Sequence, residues 1–322
     1  VNDALPLITI IVPTKPGQHN IPAVDSARRL DYPKERLEIL VARGNQPAVQ
    51  RNVALRAARG EWIYFLDDDA VASPDNLRRA LVHLNQPAVQ MLGGPNLCPP
   101  GAPLLEQVFA VVLASWLAFG PSRARYDAVG MVRESSEKEL ILCNMMGRKT
   151  ALLELGGFDE ALYPNEENAL MDDLQKRGGK LLYDPKFIVH RRPRSSLKAF
   201  CKMLFTYGRG RAEQFRLHPT PGSVLNFVPP LFCLYLVIAP ALAFATGPVL
   251  ALFPLAAYLL AVLFQTAASS STKGIARSVL AAPLLLASHV FYGLGFWRGL
   301  ITRLKSPDAK PRTEVKLDPM PA

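Results

Sequence analysis

The sequence predicts an α/β protein: a doubly wound, mostly parallel sheet followed by helices that meet a membrane. Three observations carry that expectation. Apolar, β-branched runs alternate with helix-patterned stretches over the first ~95 residues, as they do in a parallel sheet with crossover helices. From Leu217 to Thr272 the chain contains no Asp, Glu, Lys or Arg. Just before that stretch, Lys176 to Arg216 holds twelve Lys/Arg against two acids, Asp184 and Glu213. A basic collar beside a charge-free apolar run is the pattern of a membrane protein whose collar rests on anionic lipid.

The elements follow in order. Leu7–Val12 is a continuous apolar run closed by Pro13 and reads as a buried strand. Pro22–Leu30 forms a helix stopped at Tyr32-Pro33, and Leu37–Ala42 is a second buried strand. Pro47–Ala58 has helical spacing and ends at Gly60. Trp62–Leu66 is a third strand with three aspartates at its end, and Ser73-Pro74 opens the next helix. Ala88–Leu92 is a fourth strand. Ligands of such sheets bind at the carboxyl ends of strands, where the aspartates stand.

The middle is less regular. Leu104–Phe119 carries one charge, Glu106, and is short for a span, so it reads as a core or interfacial helix. Ala128–Arg133 and Leu140–Met145 read as strands, Arg148–Leu155 as a short helix, and Glu166–Arg177 as a helix ended by Gly178-Gly179. Lys180–Tyr183 and Phe187–His190 are strand-like. Ser195–Arg216 is a basic amphipathic helix whose middle Gly208 and Gly210 weaken. Three apolar segments follow, Val224–Ala245, Pro248–Thr266 and Ser278–Trp297. As helices they measure roughly 28–33 Å against a ~30 Å hydrocarbon core. Charge places Thr246-Gly247 outside, and Lys273, Arg277 and the cationic tail inside. A full third span would put that tail outside and override the charge bias; a re-entrant or interfacial third segment reconciles the two, and Gly293, Gly295, Gly299 and His289 fit an irregular helix there.

The chain has 322 residues and a net charge of +10. Hydrophobic residues make up 49%, which excludes a disordered chain. Nucleic acid, the other partner of basic proteins, would not explain the apolar run. Four scattered cysteines offer neither a zinc spacing nor a disulfide framework. The opening VNDALPLITIIVP has no charged region before its apolar stretch and does not read as a signal peptide.

Asp67-Asp68-Asp69 is the sharpest signal. Adjacent carboxylates at a strand end repel one another unless a cation offsets the repulsion. In an extended turn Asp67 and Asp69 point to one side. Two hard oxygen ligands there suit Mg²⁺ or Mn²⁺, with substrate phosphates completing the shell. Solvated acids capping a helix are the plainer reading. Glu166-Glu167 opens a helix, where carboxylates complement the dipole and can also serve as a general base. His190-Arg191-Arg192-Pro193-Arg194 is a cationic knot suited either to lipid headgroups or to a diphosphate. Arg123, Arg125 and Tyr126 form a weaker one.

Taken together these motifs resemble the family 2 inverting glycosyltransferases with a GT-A fold. The matching stretches are ITIIVPT, QRNVALRAARGEWIYFLDDDAVASPD, GRKTALLELGGFDEALYPNEENALMDDLQKRGGKLLYDP and FTYGRGRAEQF, spanning residues 7–216. The chain is most similar to the membrane-anchored enzymes of exopolysaccharide and lipid-linked oligosaccharide assembly, including succinoglycan-type glucosyltransferases.

The resemblance implies that Asp69 holds the metal and that Asp67 touches metal or ribose, with Asp68 beside them at the donor. Pro13, Thr14 and Arg51 line the nucleotide pocket. Glu167 stands where the family has its base, with Glu166 as a rival, and His190, Arg191, Arg192, Arg194, Arg123 and Arg125 are candidates for diphosphate or acceptor. Two departures, Lys15-Pro16-Gly17 and Ala42-Arg43-Gly44, remove acids that would contact uracil, and no QxxRW motif of processive synthases occurs.

The resemblance also implies four parts. These are a GT-A domain at 1–190, a basic interfacial collar at 191–222, a membrane region at 223–303 with two or three helices, and a polar tail at 304–322. The expected activity moves a sugar from a nucleotide-sugar donor to a hydroxyl of a lipid-linked polyprenyl acceptor, at the inner membrane with the catalytic domain cytosolic. Transfer to polyprenyl phosphate, and a non-catalytic scaffold that keeps the fold, are the alternatives.

Overall fold

The computed structural model describes residues 5–160, 166–217, 219, 221–304 and 314–322. The chain divides into two units. One comprises Val1–Pro99, Ala124–Arg192 and Lys305–Ala322, and the other comprises Pro100–Arg123 and Pro193–Leu304.

The first unit is a sheet flanked by helices. Its strands are β1 (Ile8–Thr14), β2 (Leu37–Arg43), β3 (Trp62–Leu66), β4 (Val71–Ala72), β5 (Val89–Gly93), β6 (Asn96–Leu97), β7 (Arg133–Glu134), β8 (Asn144–Arg148), β9 (Lys180–Tyr183), β10 (Val189–His190) and β11 (Lys316–Met320). Its helices include α1 (Pro22–Arg28), α2 (Pro47–Ala57) and α3 (Asn76–Leu84). The large sheet has the order β11-β2-β1-β3-β8-β5-β9-β7. Strand β1 is parallel to both β2 and β3, as the alternating pattern predicts. Strand β8 enters antiparallel between β3 and β5.

Successive residues of a strand face opposite sides, so each strand feeds two cores. Ile8, Ile10 and Val12 join Ile39, Val41, Trp62 and Tyr64 on one face. Ile11 joins Leu40, Ile63 and Phe65 on the other.

Two expectations change here. Of Ala128–Arg133 only Arg133 is in a strand, and of Leu140–Met145 only Asn144 and Met145. The stretch read as a polar tail contains β11, which pairs antiparallel with β2 from Lys316↔Arg43 to Met320↔Ile39. Its Pro319 and charges are those of an edge strand, which is why the segment does not look like a strand in sequence.

The second unit is helical. Leu104–Phe119 is two helices, α4 (Leu104–Leu113) and α5 (Trp116–Phe119). Ser115 separates them, its hydroxyl accepting from Ala118 N–H. The helical pair bends there by 58°. Back in the sheet unit, α6 (Lys149–Glu154) and α7 (Glu166–Lys176) lie against the second core.

In the helical unit, α8 (Leu197–Leu217) is followed by α9 (Val228–Thr246), α10 (Pro248–Lys273) and α11 (Ile275–Ile301). Three helices are long and apolar enough to cross a membrane: Val224–Thr246, Pro248–Lys273 and Ile275–Ile301. Glycines do not loosen α8 or α11. A Cβ on Gly208 would stand 2.0 Å from the Tyr292 carbonyl oxygen, and one on Gly295 2.0 Å from that of Phe205. Of the glycines expected to make α11 irregular, Gly295 and Gly299 instead let α8 and α11 touch backbone to backbone, and Gly293 faces Pro229 and Cys233 of α9.

Candidate active site

The site collects at the carboxyl end of β3. Asp67-Asp68-Asp69 follow that buried strand directly and lead into β4. β4 pairs antiparallel with β10, His190 opposite Val71. That register brings the next residue, Arg191, back over the aspartates. Arg191 Nη1 is 2.8 Å from Asp67 Oδ2 and its Nε is 2.6 Å from Asp69 Oδ1. Asp68 turns the other way: its carboxylate accepts from Thr14 Oγ1 at 3.3 Å, and its carbonyl accepts from Ala23 N–H.

Arg51 supplies the second link. It points from α2 into the site and is buried. Nη2 donates to Asp67 Oδ1 at 3.0 Å and Nη1 to Glu166 Oε1 at 3.1 Å. One guanidinium thus joins the aspartate turn to the start of α7. Glu166 is buried and Glu167 half-buried. Burial first, then Glu167 and Asp67, push the Glu166 carboxyl up to about 7, against the opposing pull of Arg51. Burial also raises Asp69, with Asp67 and Asp68 adding to it and Arg191 countering. His190 is lowered by burial.

Neighbouring asparagines, which the sequence reading did not single out, hold these parts still. Asn52, beside Arg51, donates to the Phe158 carbonyl and accepts from Phe158 N–H, both at 2.8 Å. That clasp needs Gly157, whose φ is +83° and whose Cβ would stand 2.4 Å from Asn52 Oδ1. Asn76 bonds the backbone of Ile188 in both directions, and Asn144 donates to the Phe187 carbonyl at 2.6 Å. Tyr64 links the two asparagines through its hydroxyl. Buried amides paired this fully fix one geometry, and here it is the approach to β10 and Arg191.

The remaining candidates separate. Arg125 is buried and donates to Asn168 Oδ1 at 2.6 Å and to the Glu137 carbonyl, so its guanidinium anchors the start of α7. Arg192 is exposed beside Arg191. Pro13 lies buried in β1, paired with Ala42 of β2. Arg123 and Arg194 belong to the helical unit, where Arg123 sits 5.6 Å over the Trp116 ring. Among the described residues no three His, Cys, Asp or Glu converge as a metal-binding group. The carboxylates that could hold a cation here are Asp67 and Asp69, which Arg191 bridges. Hard oxygens already paired around one positive charge fit Mg²⁺ or Mn²⁺ with most of the shell left to phosphate and water.

The family model for glycosyl transferase family group 2 matches residues 62–267, from β3 through the aspartates and α7 into α10. The chain belongs to that family. Among relatives of this glycosyltransferase, the succinoglycan biosynthesis protein ExoA of Rhizobium meliloti is 28% identical over 207 residues, 62% of this chain and 58% of that protein. A pre-mycofactocin glycosyltransferase of Mycobacterium tuberculosis is 28% identical over 180 residues, 54% of this chain and 36% of that protein. The transferase thus spans less than two thirds of either relative. Among solved structures, the mannosyltransferase PcManGT of Pyrobaculum calidifontis, in complex with GDP-Man and Mn²⁺, superposes with a TM-score of 0.57 at 18% identity, covering 88% of each chain. That likeness is one of fold, and it is the GT-A fold the motifs imply.

Proposed function

We propose that this transferase moves a sugar from a nucleotide-sugar donor to a hydroxyl of a lipid-linked acceptor at the cytosolic face of the membrane, with inversion at the anomeric carbon. The observation that carries the reading is the joined cluster of Asp67, Asp69, Arg191, Arg51 and Glu166 at the end of β3. A diphosphate leaving group needs a cationic seat, and an attacking hydroxyl needs a base. Asp67 and Asp69 would hold Mg²⁺ or Mn²⁺, which when bound offsets charge on the departing diphosphate. Arg191 stands at these carboxylates and would bind the diphosphate oxygens.

Glu167 takes the base role. Glu166 is buried and held by Arg51, so it positions the turn, whereas Glu167 keeps part of its surface open. The acceptor oxygen bonds the anomeric carbon, the bond from that carbon to the diphosphate oxygen breaks, and its electron pair leaves with the nucleoside diphosphate. The hydroxyl proton passes to Glu167. The relatives' names, succinoglycan biosynthesis and pre-mycofactocin glycosyltransferase, support sugar transfer, and the first supports polysaccharide assembly as the setting.

The test is transfer from labelled nucleotide sugars to lipid extract in membranes. Asp69→Asn and wild type in excess EDTA should both lose transfer. Glu167→Gln should lose roughly 10²–10⁴-fold, the range for a general base. Full activity of either variant removes its residue from the role. An intact rate for a Glu166/Glu167 double variant would indicate an acceptor that is already ionised, such as polyprenyl phosphate.

A further inference from the structure

We propose that the transferase crosses the bilayer only twice, through α9 and α10, and that α11 lies along the membrane face beside α8, on the side of the sheet unit. The proposal rests on the membrane reading of the helices and not on the transfer chemistry. It begins with β11. The chain leaves the sheet unit after Arg192 and is back in it at Lys316–Met320, which hydrogen-bond as a strand along β2. Both ends of the helical stretch are therefore parts of one folded body, which lies on one side of a bilayer. A chain that leaves and returns to the same side crosses an even number of times. Three full spans are excluded although three helices are long enough for them.

The same parity applies to Pro100–Arg123, which also leaves and rejoins the sheet unit. Two crossings there would need two spans. α4 has 10 residues, about 15 Å, and the second limb, Trp116–Arg125 with its 3-10 turn, about 18 Å, each against a ~30 Å core. The bent pair thus dips toward the membrane without crossing it.

α11 is the helix that stays behind. It is the least apolar and the most buried of the three candidates. It runs alongside α8 in the same direction. Gly295 meets the Phe205 backbone, Gly208 meets Tyr292 and Phe296, Gly299 meets Arg209 and Ala212, and Arg216 bonds the carbonyls of Gly299 and Thr302. α8 carries Lys198, Lys202, Arg209, Arg211, Glu213 and Arg216, which no lipid-exposed span tolerates. The half of α11 locked along it shares its depth.

α11 also carries Arg277, bonded to Gln107 at 2.9 Å, and Arg298 in its last turn. α9 and α10, by contrast, hold no charge until Lys273 and meet at Gly247, whose φ of +88° closes a tight turn. Their outer surfaces are apolar, with Phe244, Val249 and Phe253 exposed. Lys273 then returns to the sheet side, where cations belong if that side is cytoplasmic.

The experiment places single cysteines at Glu154 in the sheet unit, Thr246, Thr272 and Glu314, with the four native cysteines replaced. Each is labelled by a membrane-impermeant maleimide in intact cells and in inside-out vesicles. The expected result is Thr246 labelled from one side and Glu154, Thr272 and Glu314 from the other. Three results would overturn the proposal. They are Glu314 on the side opposite Glu154; Thr272 together with Thr246, which would move the second crossing to α11; and all four on one side, which would mean no crossing. Because replacing buried Cys143 or Cys233 could harm folding, an epitope after Ala322 in the native-cysteine chain gives a second reading. Antibody access from the side opposite the sheet unit would overturn the proposal. An Arg43→Cys/Lys316→Cys pair should crosslink under mild oxidant, and failure to do so would remove its premise. None of these readouts depends on transfer activity.

Discussion

At the residue scale, Arg51 and Arg191 organise the site, each satisfying two carboxylates. Three acids gathered here, Asp67, Asp69 and Glu166, would repel one another without them, and the two arginines, which share Asp67, make the donor-free arrangement tolerable. The pH behaviour of Glu166 follows. Its carboxyl is raised from 4.5 to about 7 in the fold, by burial and then by Glu167 and Asp67. The folded protein thus keeps a proton that the unfolded chain releases in that window, so stability falls as pH rises from about 4.5 to about 7. Glu166→Gln should flatten that decline. Thermal unfolding of metal-free protein in detergent at pH 5 and 7.5 should show a smaller difference in Tm for the variant; an equal difference would assign the proton elsewhere. The aspartates and the glutamate pair were legible in sequence, because charge at a strand end or a helix start stands out; Arg51, inside α2, was named only through the family resemblance. Asn52, Asn76 and Asn144 were not. A buried amide has no periodicity to betray it, and its partners are backbone groups 43–112 residues distant.

At the element scale, hydrophobic pattern predicted the buried strands β1, β2, β3, β5 and β9 and most of the helices, but missed the short strands β4 and β6 and the edge strand β11, misplaced β7 and β8, and did not give strand direction. Apolar residues in β8 specify burial on both faces and carry no record of whether the strand runs up or down. Its antiparallel insertion between β3 and β5 is a product of the whole chain path. Glycine was the other source of error. In isolation Gly208 costs helix stability, by roughly 1 kcal/mol relative to Ala. Packed against Tyr292 it permits an approach that any Cβ would block. Gly208→Leu and Gly295→Leu should each separate α8 from α11. The expected outcome is a Tm in detergent lowered by several degrees or more, with faster proteolysis of α8, whereas Gly178→Ala, at a helix end with open space around it, should be milder despite its φ of +84°. Leu variants as stable as wild type would show that the two helices do not touch.

At the scale of the whole molecule, charge is distributed for a surface. On α8, Lys198 and Lys202 are exposed, while Arg209 pairs with Glu213 at 3.5 Å and Arg211 donates to Gln214 at 3.0 Å. If α8 rests on anionic lipid as proposed, the first two are the cations that would meet it, each contributing about 1 kcal/mol near such a surface. Lys198→Gln/Lys202→Gln should lower flotation with vesicles containing phosphatidylserine or phosphatidylglycerol and leave binding to neutral vesicles unchanged; equal loss on both would point to a folding defect. The strand β11 has a consequence of a different kind, in the order of synthesis. Strand β2 ends at Arg43 and its outer neighbour begins at Lys316, about 270 residues later. At ~5–20 residues per second, β2 waits roughly 14–55 s for that neighbour to leave the ribosome. Through that interval the edge of the large sheet is open, and it closes only after the three long apolar helices have been made. A nascent chain stalled before Lys316 would carry the aspartates and both glutamates and still present an unpaired edge to its surroundings.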